Sequence, residues 1–520
     1  MAERSQTSPA VPTFAAFSSG RAPAARATLA AFATLTTLAA LAWTAAVPAT
    51  AVTATAGRAS AGTPAARGTV AAPGTAAAED PTRMNDIAES YVKLVLAVGQ
   101  HDANYVDAFY GPAEWKQAAD AAGKRPLPEL AAQARALMAA LAALATPPAH
   151  ATPPAPPHNA AAAPAPGPAP GAAPLDTESD DEMLRLRRRY LERQLAALLA
   201  HVEALGGTRR SFDEESRALY DAVAPTYDAA HFQAILDRID RIVPGKGPLA
   251  TRLETYRLRF VIPPDRVDAV FAAAIAECRR RTAAHIPLPP GESFEVAYVK
   301  DKPWSGYNWY QGNFHSLIQV NTDLPIYIDR AIDLAGHEGY PGHHVYNALL
   351  EQHLVRGRGW IELTVYPLFS PQSLIAEGTA NFGVDVVFPG PERVDFERRV
   401  LYPKAGLDPA SAATYDQLQE LLRQLGYAGN EAARGYLDGK LTRDAAQAWL
   451  VRYALMSPER AAQRLRFIDA YRSYVINYNY GQDLVRRYIE SRGGTADQPE
   501  RRWREFARLI SSPRLPSDLR

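Results

Sequence analysis

Cysteine is nearly absent from this 520-residue chain, which contains only Cys278. One cysteine cannot form a disulfide framework within the chain, and it cannot supply a cysteine-rich zinc module. Any metal that the protein binds would therefore have to be held by histidine and carboxylate side chains.

Neither sign of charge is in excess, because 56 Lys and Arg residues balance 56 Asp and Glu residues. A domain that binds nucleic acid usually carries a basic patch or stripe, and the sequence has no such cluster. We therefore expect no nucleic-acid partner. With 47% hydrophobic residues, the chain is long enough to bury a large core.

The first 56 positions follow the order of an export signal. Arg21 and Arg26 precede an apolar run at 27–47, and small residues follow at 49–51 and 54–56. This order is typical of a cleaved secretory segment, which predicts a signal peptide over residues 1–51 and a periplasmic or secreted protein. The alternative is a membrane anchor of about 20 residues. The small-residue sites favour removal, and hence no stable membrane insertion.

Two further segments have compositions that do not build a core. Residues 52–80 are rich in Ala, Gly and Thr, and are predicted to be disordered. Residues 147–174 contain eleven prolines and no Asp, Glu, Lys or Arg, which predicts an extended insertion at 146–178. The rest of residues 81–520 is predicted to form one helical domain.

Helical periodicity dominates that domain. Apolar residues at Ile87, Tyr91, Leu94 and Val98 recur at helical spacing, and similar patterns continue to the C-terminus. The pattern predicts a mainly α protein.

A short central region has a different pattern. Ser293–Val299 and His315–Asn321 alternate in polarity and predict two strands. The stretch 301–312 between them is rich in turn residues. Asp323 is predicted to open a helix that runs to position 337, which places a small β-sheet beside that helix.

Positions 337–344 read His-Glu-Gly-Tyr-Pro-Gly-His-His. In the familiar zinc motif two histidines four residues apart lie on one helix face and converge on one ion, but here that fourth position is Pro341. His344 shares the face of His337 on an ideal helix, yet it lies about 10 Å further along the axis. This distance is too long for both imidazoles to bind one ion.

Pro341 and Gly342 offer a solution. Proline removes a helical hydrogen bond and glycine accepts unusual backbone angles, so the pair predicts a bulge that returns a later histidine towards His337. We assign His343 as the second ligand, with His344 as its competitor. The alternatives are a kinked helix with surface histidines, or core histidines bonded to the backbone.

A catalytic zinc site needs three protein ligands and one open position. Glu377 is the predicted third ligand, because small and apolar residues around it allow its helix to pack closely against the helix of His337. Asn381, one turn later, is predicted to orient a ligand imidazole. Asp385 and Asp333 are further candidates for that role. One zinc ion is therefore the expected cofactor.

The same residues resemble a known family. The order H-E-x-x-P-G-H, with E-G-x-A at 377–380, is similar to the bacterial proteins grouped as domain of unknown function 885, which resemble gluzincin metallopeptidases. The segments 105–112, 302–310 and 478–481 also resemble that family. The resemblance covers roughly residues 82–515, and Thr379 departs from it where relatives often carry tryptophan.

The resemblance implies a helical metallopeptidase-like fold in which His337, His343 and Glu377 bind zinc and Glu338 is catalytic. We expect Glu338 to act as a general base on a zinc-activated water. Tyr478 is predicted to stabilise the oxyanion, with Tyr474 and His344 as weaker candidates.

The expected function is hydrolysis of short peptides, whose extended backbone would pair with the strand at 316–321. Arg472 is a candidate for gripping a terminal carboxylate, or else a surface ion pair. Two rival functions remain at this stage. One is a zinc amidase or esterase that acts on small non-peptide substrates, and the other is a non-catalytic protein that binds ligands in its cleft.

Overall fold

The computed structural model describes residues 81–144, 178–300, 302, 306–323 and 325–520. The predicted signal peptide (1–51), the predicted disordered segment (52–80) and positions 146–177 of the predicted insertion lie outside these residues. The described chain is mainly helical with small sheets, which confirms the predicted fold class. Within the described ranges, no helix is long and apolar enough to span a membrane.

Eight helices precede the central sheet in the part of the chain that the structure describes. They are α1 (Pro81–Gly99), α2 (Ala113–Ala122), α3 (Leu127–Ala143), α4 (Asp180–Leu205), α5 (Phe212–Tyr220), α6 (Ala229–Ile242), α7 (Leu249–Arg257) and α8 (Val267–His285). The predicted periodicity from Ile87 to Val98 falls within α1, whose buried residues form part of the hydrophobic core.

Eleven helices follow the sheet among the described residues. They are α9 (Asp329–Leu334), α10 (His343–Leu350), α11 (Pro371–Val387), α12 (Glu392–Phe396), α13 (Tyr402–Ala405), α14 (Ala412–Gln424), α15 (Tyr427–Leu437), α16 (Arg443–Tyr453), α17 (Pro458–Tyr471), α18 (Ile476–Ser491) and α19 (Pro499–Ile510). Three π-helical segments interrupt this half, at Ala335–Gly339, Glu351–Arg356 and Glu397–Leu401.

Five strands form two sheets in the described chain. The strands are β1 (Val106–Phe109), β2 (Ser293–Val299), β3 (Gly306–Gly312), β4 (His315–Asn321) and β5 (Val365–Pro367). β1 pairs antiparallel with β5, and the other three strands form one sheet in the order β2-β4-β3. The predicted bounds of β2 and β4 are confirmed.

Two predictions about the sheet are wrong. The stretch 301–312, read as turns, contains β3, which pairs antiparallel with β4. β4 therefore lies in the centre of the sheet, with β2 parallel on its other side. Because both edges of β4 are occupied, its backbone cannot pair with a substrate as the sequence had suggested.

The predicted helix from Asp323 begins later, at Asp329. The residues before it run alongside an extended segment instead: the amide of Ile262 donates to the carbonyl of Ile326 at 2.8 Å, and the amide of Ile328 donates to the carbonyl of Phe260 at 2.9 Å. Backbone groups paired in this way are not free for helical hydrogen bonds, which delays the helix.

A buried ion pair fixes the segment that leads into α11. Arg187 on α4 donates through Nε and Nη2 to the two carboxylate oxygens of Glu362, at 2.6 and 3.0 Å. Glu362 belongs to a 3₁₀ turn that runs directly into β5. Paired guanidinium and carboxylate groups in this bidentate geometry hold one orientation, so the start of α11 has a defined position.

Helices α11 and α18 approach each other at two glycines. A Cβ built on Gly378 would lie 2.6 Å from the carbonyl carbon and oxygen of Gly481, and one on Gly481 would lie 2.9 Å from the carbonyl oxygen of Leu374. Gly378, the first small residue after Glu377, thus packs against α18. Helix α11 also packs closely against the His337 segment, as predicted, since a Cβ on Gly336 would lie 3.0 Å from Val384 Cγ2. The 3₁₀ turn just before α18 carries Tyr474, whose hydroxyl contacts Glu377.

The substitution Gly378→Ala is expected to lower the free energy of unfolding by about 2–3 kcal/mol, because the new methyl group meets rigid backbone. Urea unfolding followed by circular dichroism measures the change. Gly429→Ala on α15 is the matched control, since its Cβ would meet nothing closer than 3.8 Å. A helical glycine replaced by alanine in open space should gain about 0.5–1 kcal/mol. Equal effects of the two substitutions would contradict the close helix contact.

Candidate metal centre

The histidine motif occupies a broken helix. After α9 the chain enters the π-helical segment Ala335–Gly339. The amide of Tyr340 donates to the carbonyl of Ala335 at 2.9 Å, and the amide of Gly342 donates to the carbonyl of Gly336 at 2.9 Å. The helical path ends there, and α10 begins at His343. The turn between them brings His343 back towards His337.

Gly342 is required by close packing of the backbone. A Cβ at this position would lie 1.8 Å from the carbonyl oxygen of His337, well inside van der Waals contact. Its φ of −75° is open to any residue, so the need for glycine comes from this contact and not from a left-handed conformation. The sequence pattern thus located the distortion correctly at Pro341-Gly342. It attributed the need for glycine to unusual backbone angles, whereas the need arises from contact with the His337 carbonyl.

Three predicted ligands converge. The Nε2 atoms of His337 and His343 lie 3.1 Å apart. The Oε2 atom of Glu377 lies 3.5 Å from His337 Nε2 and 3.8 Å from His343 Nε2. One ligand atom from each of the three residues falls within 4.8 Å of the others, so they can share one cation.

Two of the three ligands, His337 and Glu377, each have a hydrogen-bond partner that orients them. Asn381 Nδ2 donates to the carbonyl of Tyr478 at 3.0 Å, which turns Oδ1 towards His337 Nδ1 at 3.1 Å. His337 then carries its proton on Nδ1, and the Nε2 lone pair faces the centre. The Tyr474 hydroxyl donates to Glu377 Oε1 at 2.9 Å, which leaves Oε2 directed at the imidazoles.

Burial and mutual charge shift the pKa values of this group. Burial, with the charge of His337, lowers the pKa of His343 to about 4, against the opposing charge of Glu377. Burial alone would raise the pKa of Glu377, but the adjacent imidazoles of His337 and His343 and the hydrogen bond from Tyr474 hold it below its ordinary value. At neutral pH His343 is therefore neutral and Glu377 is ionised, which are the protonation states that bind a metal.

The donor set fits zinc. Two imidazole nitrogens and one carboxylate oxygen are a known ligand set for catalytic zinc. Glu377 is only 7% exposed, and its Oε2 atom has no hydrogen-bond partner. A buried, unpaired carboxylate oxygen is costly unless a cation compensates it, so the residues present match the ion that the sequence predicts.

Glu338 lies next to this centre. It is 5% exposed, and among the described residues its carboxylate has no hydrogen-bond partner. Its backbone carbonyl accepts a hydrogen bond from Asn308 Nδ2 on β3 at 2.8 Å. A Cβ on Gly306 would lie 3.1 Å from Glu338 Oε1, so the start of β3 covers the side chain closely. Burial raises the pKa of Glu338, opposed by the charge of His337.

The two tyrosines predicted to stabilise the oxyanion, Tyr474 and Tyr478, have different surroundings. Tyr474 is occupied by its hydrogen bond to Glu377. The Tyr478 ring packs edge-on against Tyr474, with centroids 5.6 Å apart. Burial, then the charge of Glu377, raises the pKa of Tyr478, so its hydroxyl keeps its proton. Tyr478 remains the predicted donor.

His344 points away from the centre. It is fully buried, with Nδ1 2.9 Å from Ser316 Oγ and Nε2 3.0 Å from Glu292 Oε2. The Tyr340 hydroxyl also donates to Glu292, at 2.6 Å. The competing assignment of His344 as a ligand therefore has no support in this geometry.

Three weaker candidates also have other partners. Asp385 pairs with Arg486 at 2.9 Å, and Asp333 pairs with Arg393 at 2.9 Å. Neither carboxylate orients an imidazole. Arg472 pairs with Glu215 at 2.6 Å, so it is not available to grip a substrate carboxylate.

The sequence reasoning missed Asp107. This residue lies on β1, and the Tyr307 hydroxyl on β3 donates to its Oδ1 atom at 3.2 Å. Burial raises the pKa of Asp107 to about 7 against that hydrogen bond, with the charges of Glu377 and Glu338 adding to the rise. The only sequence signal was that both residues fall in segments that resemble the family, 105–112 and 302–310.

No family model and no curated protein matches the sequence. Among solved structures, a candidate lipoprotein from Colwellia psychrerythraea is 17% identical, with a TM-score of 0.43, over 66% of this chain and 63% of that one. The match therefore spans less than two thirds of that protein's length. A candidate lipoprotein of unknown function from Shewanella oneidensis is 13% identical over 75% of both chains, with a TM-score of 0.35. A protein named BsuCP is 10% identical over 83% of this chain and 89% of that one, with a TM-score of 0.41.

Proposed function

We propose that this chain is a zinc-dependent hydrolase that cleaves short peptides. The observation that carries the proposal is the meeting of His337, His343 and Glu377 beside a carboxylate, Glu338, that has no hydrogen-bond partner among the described residues. A structural zinc is usually closed by four protein ligands, whereas three leave one position open for a water or substrate. Glu338 is an additional carboxylate that is only 5% exposed, and a general base beside the ion is a role that accounts for it.

Each residue has a role in this proposal. His337, His343 and Glu377 hold the ion, while Asn381 and Tyr474 keep two of them oriented. Zinc, when bound, supplies a water of lowered pKa and polarises the substrate carbonyl. Glu338 accepts the proton of the attacking water and returns it to the leaving amine. The Tyr478 hydroxyl donates to the developing oxyanion.

A peptide substrate is favoured by the strand beside Glu338. Among the described residues, β3 pairs only with β4, so its other edge has no strand partner. An extended peptide can add to such an edge, with its scissile bond near Gly306 and Glu338. This edge takes the place of the central strand that the sequence had suggested.

The family and the location belong to the same proposal. The order of motifs from His337 to Ala380 supports membership of the domain of unknown function 885 group. The basic residues, apolar run and small-residue sites of the first 56 positions support export, to the periplasm or the medium. Those positions lie outside the residues that the structure describes.

Removal of the metal tests the proposal. Hydrolysis of a mixed library of short peptides, read by mass spectrometry, is expected to stop after treatment with a chelator and to return when one equivalent of zinc is added. Cleavage that survives metal removal would refute the mechanism. Cleavage of small amides or esters, with the peptides left intact, would favour the amidase or esterase alternative, which uses the same metal centre.

A further inference from the structure

Arg464 on α17 is an arginine without a partner in the part of the chain that the structure describes. No carboxylate of those residues pairs with its guanidinium, and its Nε atom is shielded from solvent without a hydrogen-bond acceptor. Asp469, the next acidic residue along the helix, pairs with Arg443 at 2.7 Å instead. A guanidinium keeps its charge, and a shielded charge is unfavourable unless an anion compensates it.

Packing holds this guanidinium in place. Its Cζ atom lies 4.9 Å from the centroid of the Phe467 ring, one turn further along α17, in the geometry of a cation–π contact. A Cβ on Gly429 of α15 would lie 3.8 Å from its Nη2 atom and 4.0 Å from its Nε atom. Arg464 is partly exposed, so a ligand can reach it. An arginine that is held by packing and has no ion pair is prepared to bind a carboxylate with its planar fork.

A strip of aromatic side chains connects Arg464 with the candidate metal centre. The strip consists of Phe467, Tyr471, Tyr474 and Tyr478. The Phe467 centroid lies 4.6 Å from that of Tyr471 and 6.5 Å from that of Tyr478, and both tyrosine rings contact Tyr474, at 6.2 and 5.6 Å.

The strip reaches the ligand set at Tyr474, whose hydroxyl donates to Glu377 at 2.9 Å. Its other three rings, Phe467, Tyr471 and Tyr478, are partly exposed. A substrate that is bound at the centre can therefore extend along these rings as far as Arg464.

We propose that Arg464 binds a carboxylate group of the substrate at the far end of the aromatic strip. The inference rests on the proposed function. It gives Arg464 the role that the sequence had suggested for Arg472, which pairs with Glu215. The carboxylate has two sources in a peptide, the free carboxyl terminus and an acidic side chain. Recognition of the terminus would make the enzyme an exopeptidase that acts from the carboxyl end.

Binding to the zinc-loaded Glu338→Gln variant, measured by calorimetry, tests this without requiring turnover. The probes are trialanine, trialanine amide and Ala-Ala-Glu amide, which carry a terminal carboxylate, no carboxylate and a side-chain carboxylate, respectively. We expect trialanine to bind about 10- to 100-fold more tightly than its amide, as charge-assisted hydrogen bonds predict. Arg464→Met should remove that difference and leave the affinity for trialanine amide unchanged.

Two further variants separate the fork of Arg464 from its charge. Arg464→Lys keeps the charge but loses the planar fork, and should retain part of the preference for trialanine. Arg466→Met is the control of equal charge on the same helix. Arg466 is exposed and forms no ion pair among the described residues, so its substitution should leave all three affinities unchanged.

The outcomes distinguish the source of the carboxylate. If Ala-Ala-Glu amide binds as tightly as trialanine and loses affinity in Arg464→Met, the site stands with the acidic side chain as the source. An equal loss for all three peptides, no effect of Arg464→Met, or no binding of any peptide would overturn the inference. A preference that depends on Arg464, without hydrolysis by the wild type, would sink the proposed function instead.

Discussion

Replacement of Glu338 by glutamine is expected to lower the turnover number by about 10²- to 10⁴-fold while the zinc content stays at one ion per chain. Glutamine keeps the size of the side chain but cannot accept the proton of the attacking water. The neighbouring backbone should not move, because Asn308 holds the Glu338 carbonyl and not its carboxylate. Peptide cleavage rates and elemental analysis of the same sample give both quantities.

The expected effect on stability has the opposite sign to the effect on activity. Burial raises the pKa of Glu338, with the charge of Glu377 adding to the rise and that of His337 opposing it. The folded protein therefore holds this carboxylate at a cost, and the neutral amide should leave the free energy of unfolding unchanged or slightly higher. Loss of stability together with activity would point to a structural role.

Glu351→Gln is the contrasting variant. Glu351 is a buried carboxylate that accepts hydrogen bonds from the Tyr310 hydroxyl at 2.5 Å and from the amide of Asn313 at 3.1 Å, and it pairs with Arg356. Its substitution should lower the free energy of unfolding and leave the rate per folded molecule nearly constant. Near-normal cleavage by Glu338→Gln, with zinc retained, would exclude Glu338 as the general base, whereas no cleavage by the wild type would favour the non-catalytic alternative.

Local pattern predicted some strands and missed another. β2 and β4 alternate in polarity and contain β-branched residues, and their bounds follow from sequence alone. β3 begins and ends in glycine and carries Asn308 and Gln311, a composition that favours turns. It is a strand because β4 pairs with it. The two strands are joined by the two-residue turn Asn313-Phe314, whose positive φ angles suit a hairpin, and the turn-like composition of β3 concealed this pairing.

The residues of the candidate centre also differ in how far the sequence predicts their positions. His337, Glu338 and Glu377 could be predicted because each lies in a short motif on a helix. The choice between His343 and His344 depends on how the backbone returns at Gly342, which involves a contact with the His337 carbonyl that helical geometry does not predict. Asp107 meets Tyr307 from 200 positions away, so only the folded chain brings the two together.

The pair His343→Ala and His344→Ala should have opposite effects, since the two neighbours face different surroundings. His343→Ala removes one of three ligands. A four-ligand zinc site is worth about 10–16 kcal/mol, so one ligand accounts for about 3 kcal/mol, or about 100-fold in zinc affinity. His343 is partly exposed, and its loss should change the free energy of unfolding of the metal-free protein by less than about 1 kcal/mol.

His344→Ala should retain zinc and lose stability. The substitution opens a cavity at a fully buried site and leaves Ser316 without its partner, which is expected to cost about 2–4 kcal/mol. Glu292 would still accept from Tyr340 at 2.6 Å and pair with Arg279 at 2.6 Å, so the fold around the centre should persist. His344→Asn, which keeps one polar contact, should recover part of that loss.

Zinc affinity by competition with a chelator, and urea unfolding of the metal-free protein, separate the two effects. The turn at Gly342 is confirmed if zinc affinity falls only in His343→Ala and the free energy of unfolding falls only in His344→Ala. If His344→Ala loses the ion while still folded and His343→Ala keeps it, the turn does not bring His343 to the centre. In that case the ligand set, and the role of Glu338 beside it, would have to be abandoned together.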